Sequence, residues 1–187
     1  SFAKLIRKNL DASQSDTTTL AEELERLELY LILEHMRFKD KFRYQVERDP
    51  AVDTTRVRIP AMMLQPYVEN SIWHGILPMD RQGTVRIQVH GHAEDRIRVT
   101  ISDDGIGLTE SFNRKAATAS DHISRGIEIT KGRTDVLRNL NLSDIRIQGP
   151  EEVRGADGIV TGTRVMIDLP SAGPTIGEVG SLQSPVT

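Results

Sequence analysis

Two runs of alternating apolar and polar residues, separated by four residues, constrain the fold of this chain more than any other feature. The runs are TVRIQVHG and RIRVTISDD, and the residues between them are HAED. Their apolar positions are Val85, Ile87, Val89, Ile97, Val99 and Ile101. Because successive side chains of a strand point to opposite faces, this alternation predicts two strands that each bury one face. The short connection predicts that the two strands form a hairpin.

A capping box opens the helix that is predicted before these strands. Thr19 is followed three residues later by Glu22, and such a pair satisfies free backbone N–H groups at a helix start. The helix is predicted to run to about Phe38. Its apolar residues lie on roughly one stripe: Leu20, Leu24, Leu27, Leu31 and Met36. The segment FRYQVERD follows, and its alternation predicts a half-buried strand.

Proline positions and weaker patterns predict the remaining elements. Pro60 and Pro66 suit the first turn of a helix, which predicts a short helical turn and then a main helix from Pro66 to about His74. Residues 108–124 have no clean period and are predicted to form a long loop, followed by a helix at 126–139. The segments DIRIQG and TRVMIDLP are predicted to be two closing strands.

Composition limits the class of protein. The chain has 187 residues, which suits one domain with appendages, and its net charge of -3 gives no electrostatic case for nucleic acid or an anionic membrane. It has no cysteine, which excludes disulfides and thiolate metal sites. No apolar run approaches the roughly 20 residues that span a bilayer. Because the first residue is Ser and the first segment is already helical in pattern, we expect a fragment of a longer protein.

The stretch QPYVENSIWHG places polar side chains in an otherwise apolar helix. Glu69 and Asn70 are adjacent, and His74 lies four residues after Asn70, on the same helical face. Such groups cost free energy in a core unless they are hydrogen-bonded or bind a ligand. Asn70 and His74 could bridge groups within a core. Alternatively, Glu69 and Asn70 supply the carboxylate and amide oxygens that Mg²⁺ takes as ligands.

The segment DDGIGL follows the second strand of the hairpin. Asp103 stands at the strand end, where a carboxylate can face a pocket and accept a hydrogen bond. Gly105 and Gly107 permit a close backbone approach that a side chain would block. A simple turn is the alternative, because Asp-Gly is a common turn dipeptide. An EF-hand calcium loop is disfavoured because its acidic spacing and final Glu are missing.

Taken in order, VENSIWHG, DDGIGL, a glycine at a helix start and GT resemble the Bergerat ATP-binding fold. Sensor histidine kinases, type II topoisomerases, a heat-shock chaperone and mismatch-repair ATPases share that fold. The closest resemblance is to two-component sensor histidine kinases of the branch related to the autolysin-regulating sensor, which typically reads QPLVENAIKHG where this chain reads QPYVENSIWHG. The helix EELERLELYLILEHMRF also resembles that branch's linker between its dimerisation helices and its ATPase-like domain.

This resemblance covers residues 1–170 and implies an α/β two-layer sandwich, with a mixed sheet, helices on one face and an N-terminal helical extension. It implies the end of a dimerisation region and a linker helix at 1–39 and an ATP-binding catalytic domain at 40–170. The tail at 171–187 is rich in Gly, Pro and Ser without a period, and it is predicted to be disordered. The implied activity is ATP- and Mg²⁺-dependent phosphorylation of a histidine in a homodimer, followed by relay to a response-regulator aspartate. The implied location is the cytoplasmic side of a membrane-anchored protein.

On the metal side, the resemblance makes Asn70 a Mg²⁺ ligand and Glu69 a catalytic residue that polarises or orders water. The family often has Lys where this chain has Trp73, and His74 is expected to replace part of that missing cation at the phosphates. Relatives that hydrolyse ATP place a general-base Glu four residues before the Asn. Here that position is Pro66, which favours transfer to a protein side chain over hydrolysis.

On the nucleotide side, the resemblance makes Asp103 the acceptor for the adenine amino group. Thr163, after Gly162, would help to fix the adenine end, and Gly105 and Gly107 would lie close to the nucleotide.

The resemblance also makes residues 108–124 a lid over the phosphates. Gly126 would direct backbone N–H groups of the next helix toward a phosphate. Arg133 matches a recurrent basic position on that helix, with a structural ion pair as the alternative. Ser124 and Ile129 stand where the family usually has Gly and Asn, which puts ATP affinity and lid closure in question.

The phospho-accepting histidine is expected before residue 1. Within the chain, His35 lies on a helix beside Glu34 and is the alternative acceptor, whereas His90 and His92 lie at a hairpin and suggest a solvated turn. Two other functions stay open. One is an ATPase of the same fold, which Pro66 disfavours. The other is an interaction module that binds no nucleotide, which the departures from the family motifs suggest.

Overall fold

The computed structural model describes residues 17–93, 95–118 and 144–171. Three predicted segments lie wholly or almost wholly outside these residues: the helical stretch at 1–10, the helix at 126–139 and the tail at 171–187.

A five-stranded mixed sheet forms one layer of the fold. The strands of the chain are β1 (Thr17–Thr19), β2 (Phe42–Arg48), β3 (Arg58–Pro60), β4 (Gly83–Gly91), β5 (Arg96–Asp103), β6 (Arg146–Arg154) and β7 (Val160–Pro170). The large sheet has the order β2-β4-β5-β7-β6, in which β2 and β4 are parallel and all other neighbours are antiparallel. The predicted hairpin is therefore confirmed as β4 and β5. Strands β1 and β3 form a separate antiparallel pair.

The helices pack on one face of this sheet, as predicted. They are α1 (Leu20–Arg37), α2 (Gln65–Asn70) and α3 (Leu108–Thr118), and α2 continues as a π-helical segment, Ser71–Ile76. We call Gln65–Ile76 the motif helix. Alternate residues of β4, β5 and β7 share one core with α1 and the motif helix. Members of this core include Leu24, Leu27, Val68, Ile72, Ile87, Val99, Ile101 and Ile167. None of the helices in the described ranges is long and apolar enough to cross a membrane.

The predicted capping box is confirmed at the start of α1. The Glu22 backbone N–H donates to Thr19 Oγ1 (3.2 Å), and the Thr19 backbone N–H donates to Glu22 Oε2 (3.0 Å). Hydrogen bonds to the Glu22 carboxylate, first from the Thr19 backbone N–H and then from the Thr18 hydroxyl (2.7 Å), lower the pKa of Glu22 to about 2. The apolar stripe is buried from Leu20 to Leu31, but Met36 is 64% exposed. The prediction for Met36 was wrong because Met36 follows Leu31 by five residues, which at 3.6 residues per turn places it about 140° away from the buried stripe.

A buried carboxylate ties α1 to the start of the motif helix. Glu23 is 1% exposed, and its Oε2 accepts hydrogen bonds from Arg26 Nη2 (2.7 Å) and from the Met62 backbone N–H (3.1 Å). Its Oε1 accepts from the Leu64 backbone N–H (3.1 Å). Burying a charge is costly unless the charge is paired and hydrogen-bonded. Glu23 meets both conditions and satisfies two backbone donors that precede the motif helix.

The two prolines behave differently from each other. Pro66 lies in the first turn of the motif helix, as predicted. Pro60 instead ends β3, where it is paired with Thr17. The predicted helical turn at Pro60 was wrong because proline is also tolerated at the ends and edges of sheets. The motif helix extends beyond the predicted end at His74, and its last bond, from Leu77 N–H to Ile72 O (2.9 Å), spans five residues.

Helix α3 occupies most of the segment that was predicted to be a loop. The residues of this helix from Leu108 to Arg114 are mostly exposed, and Phe112 is 58% exposed. An ion pair between Glu110 Oε1 and Arg114 Nε (2.7 Å) supports the helix at a spacing of four residues. The prediction of a loop over 108–118 was wrong because it rested on the small polar residues of the longer segment 108–124, which hid the helical part. Residues 119–124 of the predicted lid lie outside the described residues.

We predict that Glu23→Ala lowers the free energy of unfolding by about 3–5 kcal/mol, because it removes a buried acceptor of the Arg26 guanidinium and of two backbone N–H groups. Glu28→Ala on the same helix is the matched control. Glu28 makes an exposed pair with Arg48 (2.6 Å), and its loss should cost less than about 1 kcal/mol. Urea unfolding of both variants measures the difference. Equal costs would contradict the role given to Glu23.

The capping box predicts a pH-dependent contribution to stability. The folded-state pKa of Glu22 lies below its ordinary value of 4.5, so its stabilisation is fully present above that value and is lost as the pH falls toward about 2. We expect Glu22→Gln to be less stable than the wild type at neutral pH, with a difference that shrinks as the solution is acidified. Urea unfolding at a series of pH values tests this. A difference that stays constant would show that the charge of Glu22 is not responsible.

Candidate functional site

A buried carboxylate at the end of β5 is the centre of the candidate site. Asp103 is 7% exposed, and its Oδ1 accepts the Gly105 backbone N–H (2.9 Å). Its Oδ2 accepts the hydroxyl of Thr163, which is its neighbour on β7. Burial raises the pKa of Asp103, whereas hydrogen bonds from Thr163, Ser71 and Gly105 act in the opposite direction. These donors come from three segments, so one carboxylate joins β5, β7 and the motif helix.

Glycines allow the backbone to approach this carboxylate closely. A Cβ at Gly75 would lie 2.9 Å from Asp103 Oδ1, and a Cβ at Gly105 would lie 2.5 Å from the Gly75 carbonyl carbon. At Gly162, where φ is +149°, a Cβ would overlap the Asp103 backbone oxygen at 1.8 Å. The Ile106 N–H also donates to the Gly75 carbonyl oxygen (3.0 Å). The structure therefore brings the predicted Gly105, Gly162, Thr163 and Asp103 together.

Two residues of this cluster were missed by the sequence analysis. Ser71 and Gly75 lie on the motif helix, on the side that faces Asp103. Their signal was present, because two small residues spaced by four positions mark a face where another backbone can come close. That signal gave no reason to connect Ser71 and Gly75 with the carboxylate of Asp103, which follows about thirty residues later and is brought close to them only by the fold.

The polar residues of the motif helix point in different directions. Asn70 is exposed at the last residue of α2, and the half-buried Glu69 accepts a hydrogen bond from Gln65 Nε2 on its Oε1 (2.7 Å). His74 is half-buried in the π-helical segment. Asn70 is thus accessible to a ligand, and its exposure contradicts the interpretation that it bridges groups within the core.

Trp73 lies against the end of α1. Its indole N–H donates to the Tyr30 hydroxyl (3.3 Å), and its ring meets the Phe38 ring edge-on, with centroids 5.6 Å apart. The Arg37 guanidinium carbon stands 5.2 Å from the centre of the Trp73 ring. This residue, which replaces the family's frequent Lys, therefore connects two helices.

Gly107 marks the passage from β5 to α3. Its φ of +83° favours glycine, and a Cβ there would lie 2.5 Å from Val160 Cγ1. Its carbonyl oxygen accepts the Ser111 N–H (3.1 Å) in the first turn of α3. Glu152 on β6 accepts the Thr109 backbone N–H (2.9 Å), which fixes the start of the same helix. Gly107 is thus required by a tight backbone path between sheet and helix.

The other predicted site residues are placed as follows. Gly126 and Arg133, like Ser124, Ile129 and His122, lie outside the described residues. His35 Nδ1 lies 3.0 Å from the Phe42 carbonyl oxygen. Its ring is edge-on to the rings of Phe42 and Tyr44, with centroid distances of 5.7 and 5.8 Å. The His35 side chain thus packs from α1 against β2. Among the described residues, no group of three or more His, Asp or Glu side chains could hold a metal ion alone.

Two surface depressions are found along the sheet. One, of about 650 Å³, lies on the open face of the sheet and is lined by Asp103, Arg86 and Arg164, among others. The other, of about 540 Å³, lies at the far end of β5, near Arg96. The candidate site is defined by converging polar groups and close backbone contacts.

Comparison with known sequences connects this arrangement to sensor kinases. The sequence model of a family described as "Histidine kinase" matches residues 1–42. The sensor protein LytS of Staphylococcus haemolyticus is 28% identical over 170 residues, which are 91% of this chain and 28% of that protein. The sensor histidine kinase YpdA of Escherichia coli is 31% identical over 107 residues, which are 57% of this chain and 18% of that protein. The chain thus spans less than a third of these relatives.

Comparison with solved structures supports the fold. The catalytic domain of the histidine kinase ThkA superposes with a TM-score of 0.51 at 14% identity, covering 85% of this chain and 97% of that domain. The predicted resemblance to the branch of the autolysin-regulating sensor and the predicted fold are both confirmed. The chain is therefore similar in sequence to LytS-type sensor histidine kinases, and it has the fold of a histidine kinase catalytic domain.

Proposed function

We propose that this chain supplies the ATP-binding half of a dimeric sensor histidine kinase. In this proposal it binds ATP with Mg²⁺ and transfers the γ-phosphoryl group to a histidine, from which a response-regulator aspartate receives it. The observation that carries the proposal is the cluster around Asp103, beside a motif helix that presents Asn70 to solvent. The proposal includes a division into a linker helix within 1–39 and a catalytic domain at 40–170, on the cytoplasmic side of a membrane.

The Asp103 cluster fits the adenine end of a nucleotide. A carboxylate has about four acceptor positions, and two of the groups that contact this one are the hydroxyls of Thr163 and Ser71. Hydroxyl groups rotate, so they can yield an acceptor position to an incoming amino group. Gly75, Gly105 and Gly162 keep the surroundings free of side chains that would occupy the same space. We therefore assign the adenine amino group to Asp103, with Thr163 beside it.

The motif helix fits the phosphate end. Asn70 offers an exposed amide oxygen, which is a suitable ligand for Mg²⁺. Since the described residues contain no complete metal cluster, the ion would share its coordination with ATP oxygens and water. Bound Mg²⁺ would neutralise charge on the phosphates. We assign metal binding to Asn70, a contact on the phosphate side to His74 and the ordering of a reacting group to Glu69.

Relatives that hydrolyse ATP have a general-base Glu four residues before the Asn, and the residue at that position here favours phosphoryl transfer over ATP hydrolysis. Pro66, in the first turn of the motif helix, offers no carboxylate there to activate water. Glu69 is one helical turn later and is oriented by Gln65. Catalysis would therefore consist mostly of positioning and of charge stabilisation. The alternative of a module that binds no nucleotide rests on Trp73, Ser124 and Ile129. Of these, the structure describes only Trp73, whose side chain is engaged with α1.

We predict that Asp103→Asn weakens binding of a non-hydrolysable ATP analogue by about one to two decades. The physical reason is the loss of a hydrogen bond to a charged acceptor, typically about 1.5–3 kcal/mol. Titration calorimetry measures the dissociation constant, and thermal unfolding shows whether the variant is folded.

The matched control is Asp168→Asn, which changes another buried aspartate of the same sheet. Asp168 is 5% exposed and pairs with Arg98 through two contacts of 2.6 and 2.8 Å, away from the Asp103 cluster. It should leave the affinity for the analogue unchanged. A folded Asp103→Asn variant with the wild-type dissociation constant would remove Asp103 from the adenine site.

We predict that Asn70→Ala abolishes the increase in nucleotide affinity that Mg²⁺ produces. Binding of adenosine without metal should persist, because that end of the site is formed by Asp103 and Thr163. Calorimetric titrations with the ATP analogue and with adenosine, each with and without Mg²⁺, separate these effects. If the affinities for both ligands fall and thermal unfolding shows that the variant is not folded, Asn70 has a structural role instead.

A further inference from the structure

We propose that Tyr30 of α1 is a positioning residue for the motif helix. In this proposal it acts through Trp73 to fix the orientation of Glu69 and Asn70 relative to the phosphates. The inference deepens the proposed function and rests on it for the roles of Glu69 and Asn70. It follows from three observations: the contacts of Trp73, the π-helical geometry around it and the shared electrostatic environment of Tyr30 and Glu69.

Trp73 is anchored on several sides by the end of α1. The Tyr30 hydroxyl accepts its indole N–H at 3.3 Å, and the Phe38 ring meets it at an interplanar angle of 88°. The Arg37 guanidinium carbon stands 5.2 Å from the Trp73 ring centre and 4.8 Å from the Phe38 ring centre. An edge-to-face pair and a nearby cation are both favourable arrangements for aromatic rings. Trp73 remains 40% exposed, so this anchor lies at the surface.

This anchor acts on a helical segment whose geometry needs outside support. Trp73 is the third residue of the π-helical segment Ser71–Ile76, which begins directly after Asn70. π-Helical turns are rare, and they occur most often at functional sites. The side facing the sheet is held by Gly75, which packs on Gly105. With Trp73 attached to α1 and Gly75 attached to the β5 end, the rotation of the helix about its axis is fixed.

The electrostatic environment connects the anchor with Glu69. Burial raises the pKa of Tyr30 to about 12, so its hydroxyl keeps its proton at neutral pH, and the charges of Glu34 and Glu69 add to this effect. Glu34 Oε2 is buried and has no hydrogen-bond partner among the described residues. Burial raises the pKa of Glu34, Arg37 opposes the shift and Glu69 adds to it. The Glu69 carboxylate therefore interacts electrostatically with the same part of α1 that holds Trp73.

The consequence is a direct connection between α1 and the proposed catalytic pair. Glu69 and Asn70 lie immediately before the π-helical segment, so a rotation of Trp73 would turn both side chains relative to Asp103 and Thr163. A displacement of α1 would produce such a rotation, because Tyr30, Arg37 and Phe38 move with the helix end. The position of α1 would thereby set how well the metal end of the site is formed.

Tyr30→Phe tests this inference, because it removes only the hydroxyl group that accepts the indole N–H. Tyr44→Phe is the matched control: Tyr44 lies on β2, and its ring contacts His35 rather than Trp73. Trp73 is the one tryptophan of the 187-residue chain, so intrinsic fluorescence reports on the anchor alone. Backbone amide NMR shifts of the motif helix report its orientation. Calorimetry of the ATP analogue with and without Mg²⁺ reports the function.

For Tyr30→Phe we expect a red-shifted Trp73 emission and amide shifts concentrated in Gln65–Ile76. We also expect about a five-fold smaller increase in affinity on adding Mg²⁺, which corresponds to the loss of one ordinary hydrogen bond. Affinity without metal should stay unchanged, because the Asp103 cluster is untouched. Tyr44→Phe should resemble the wild type in all three measurements.

Two results would overturn the inference. One is a Tyr30→Phe variant whose fluorescence and motif-helix amides equal those of the wild type, since Tyr30 then positions nothing. The other is a variant whose amides shift while its Mg²⁺ effect is unchanged, since the contact is then only structural. A wild-type chain that binds no nucleotide at all would instead overturn the proposed function, and the calorimetry identifies that case separately.

Discussion

The Asp103 carboxylate is the constraint on which the rest of the site depends. A buried charge needs several hydrogen-bond donors, and here they come from the β5–α3 connection, from β7 and from the motif helix. These segments can meet only because Gly75, Gly105 and Gly162 lack side chains at the points of contact. The need of the Asp103 carboxylate for hydrogen-bond donors therefore determines where the motif helix meets the end of β5. The same carboxylate is the group that is proposed to bind the nucleotide.

Helix α1 is connected to the motif helix at two places, and the two connections differ in kind. Near the start of α1, Glu23 is buried and satisfies backbone donors, so its loss would affect the stability of the whole fold. Near the end of α1, Tyr30 and Trp73 are partly exposed and make weaker contacts, which can change without unfolding the chain. Such a distribution suits the proposed role of α1 as a linker that holds the motif helix firmly and still lets its orientation change.

Local spacing predicted the hairpin and the capping box, whereas the grouping of Asp103 with Gly162 and Thr163 came from the resemblance to the Bergerat fold. The patterns missed α3, whose residues from Leu108 to Arg114 are mostly exposed. They also placed Pro60 in a helix, since proline suits helix starts and strand ends alike. The contacts of Ser71, Gly75 and Tyr30 could not be predicted because they join residues far apart in the chain, and only the fold determines their distances.

Phosphoryl transfer from ATP to a separately made piece that carries the proposed dimerisation helices tests the central claim most directly. With γ-labelled ATP, this account predicts acid-labile, base-stable label on that piece and none on the present chain. Transfer should be slow, because the mixture lacks the high effective concentration that a covalent link provides. Label on this chain alone that disappears in His35→Gln, or steady phosphate release without any labelled histidine, would contradict the account.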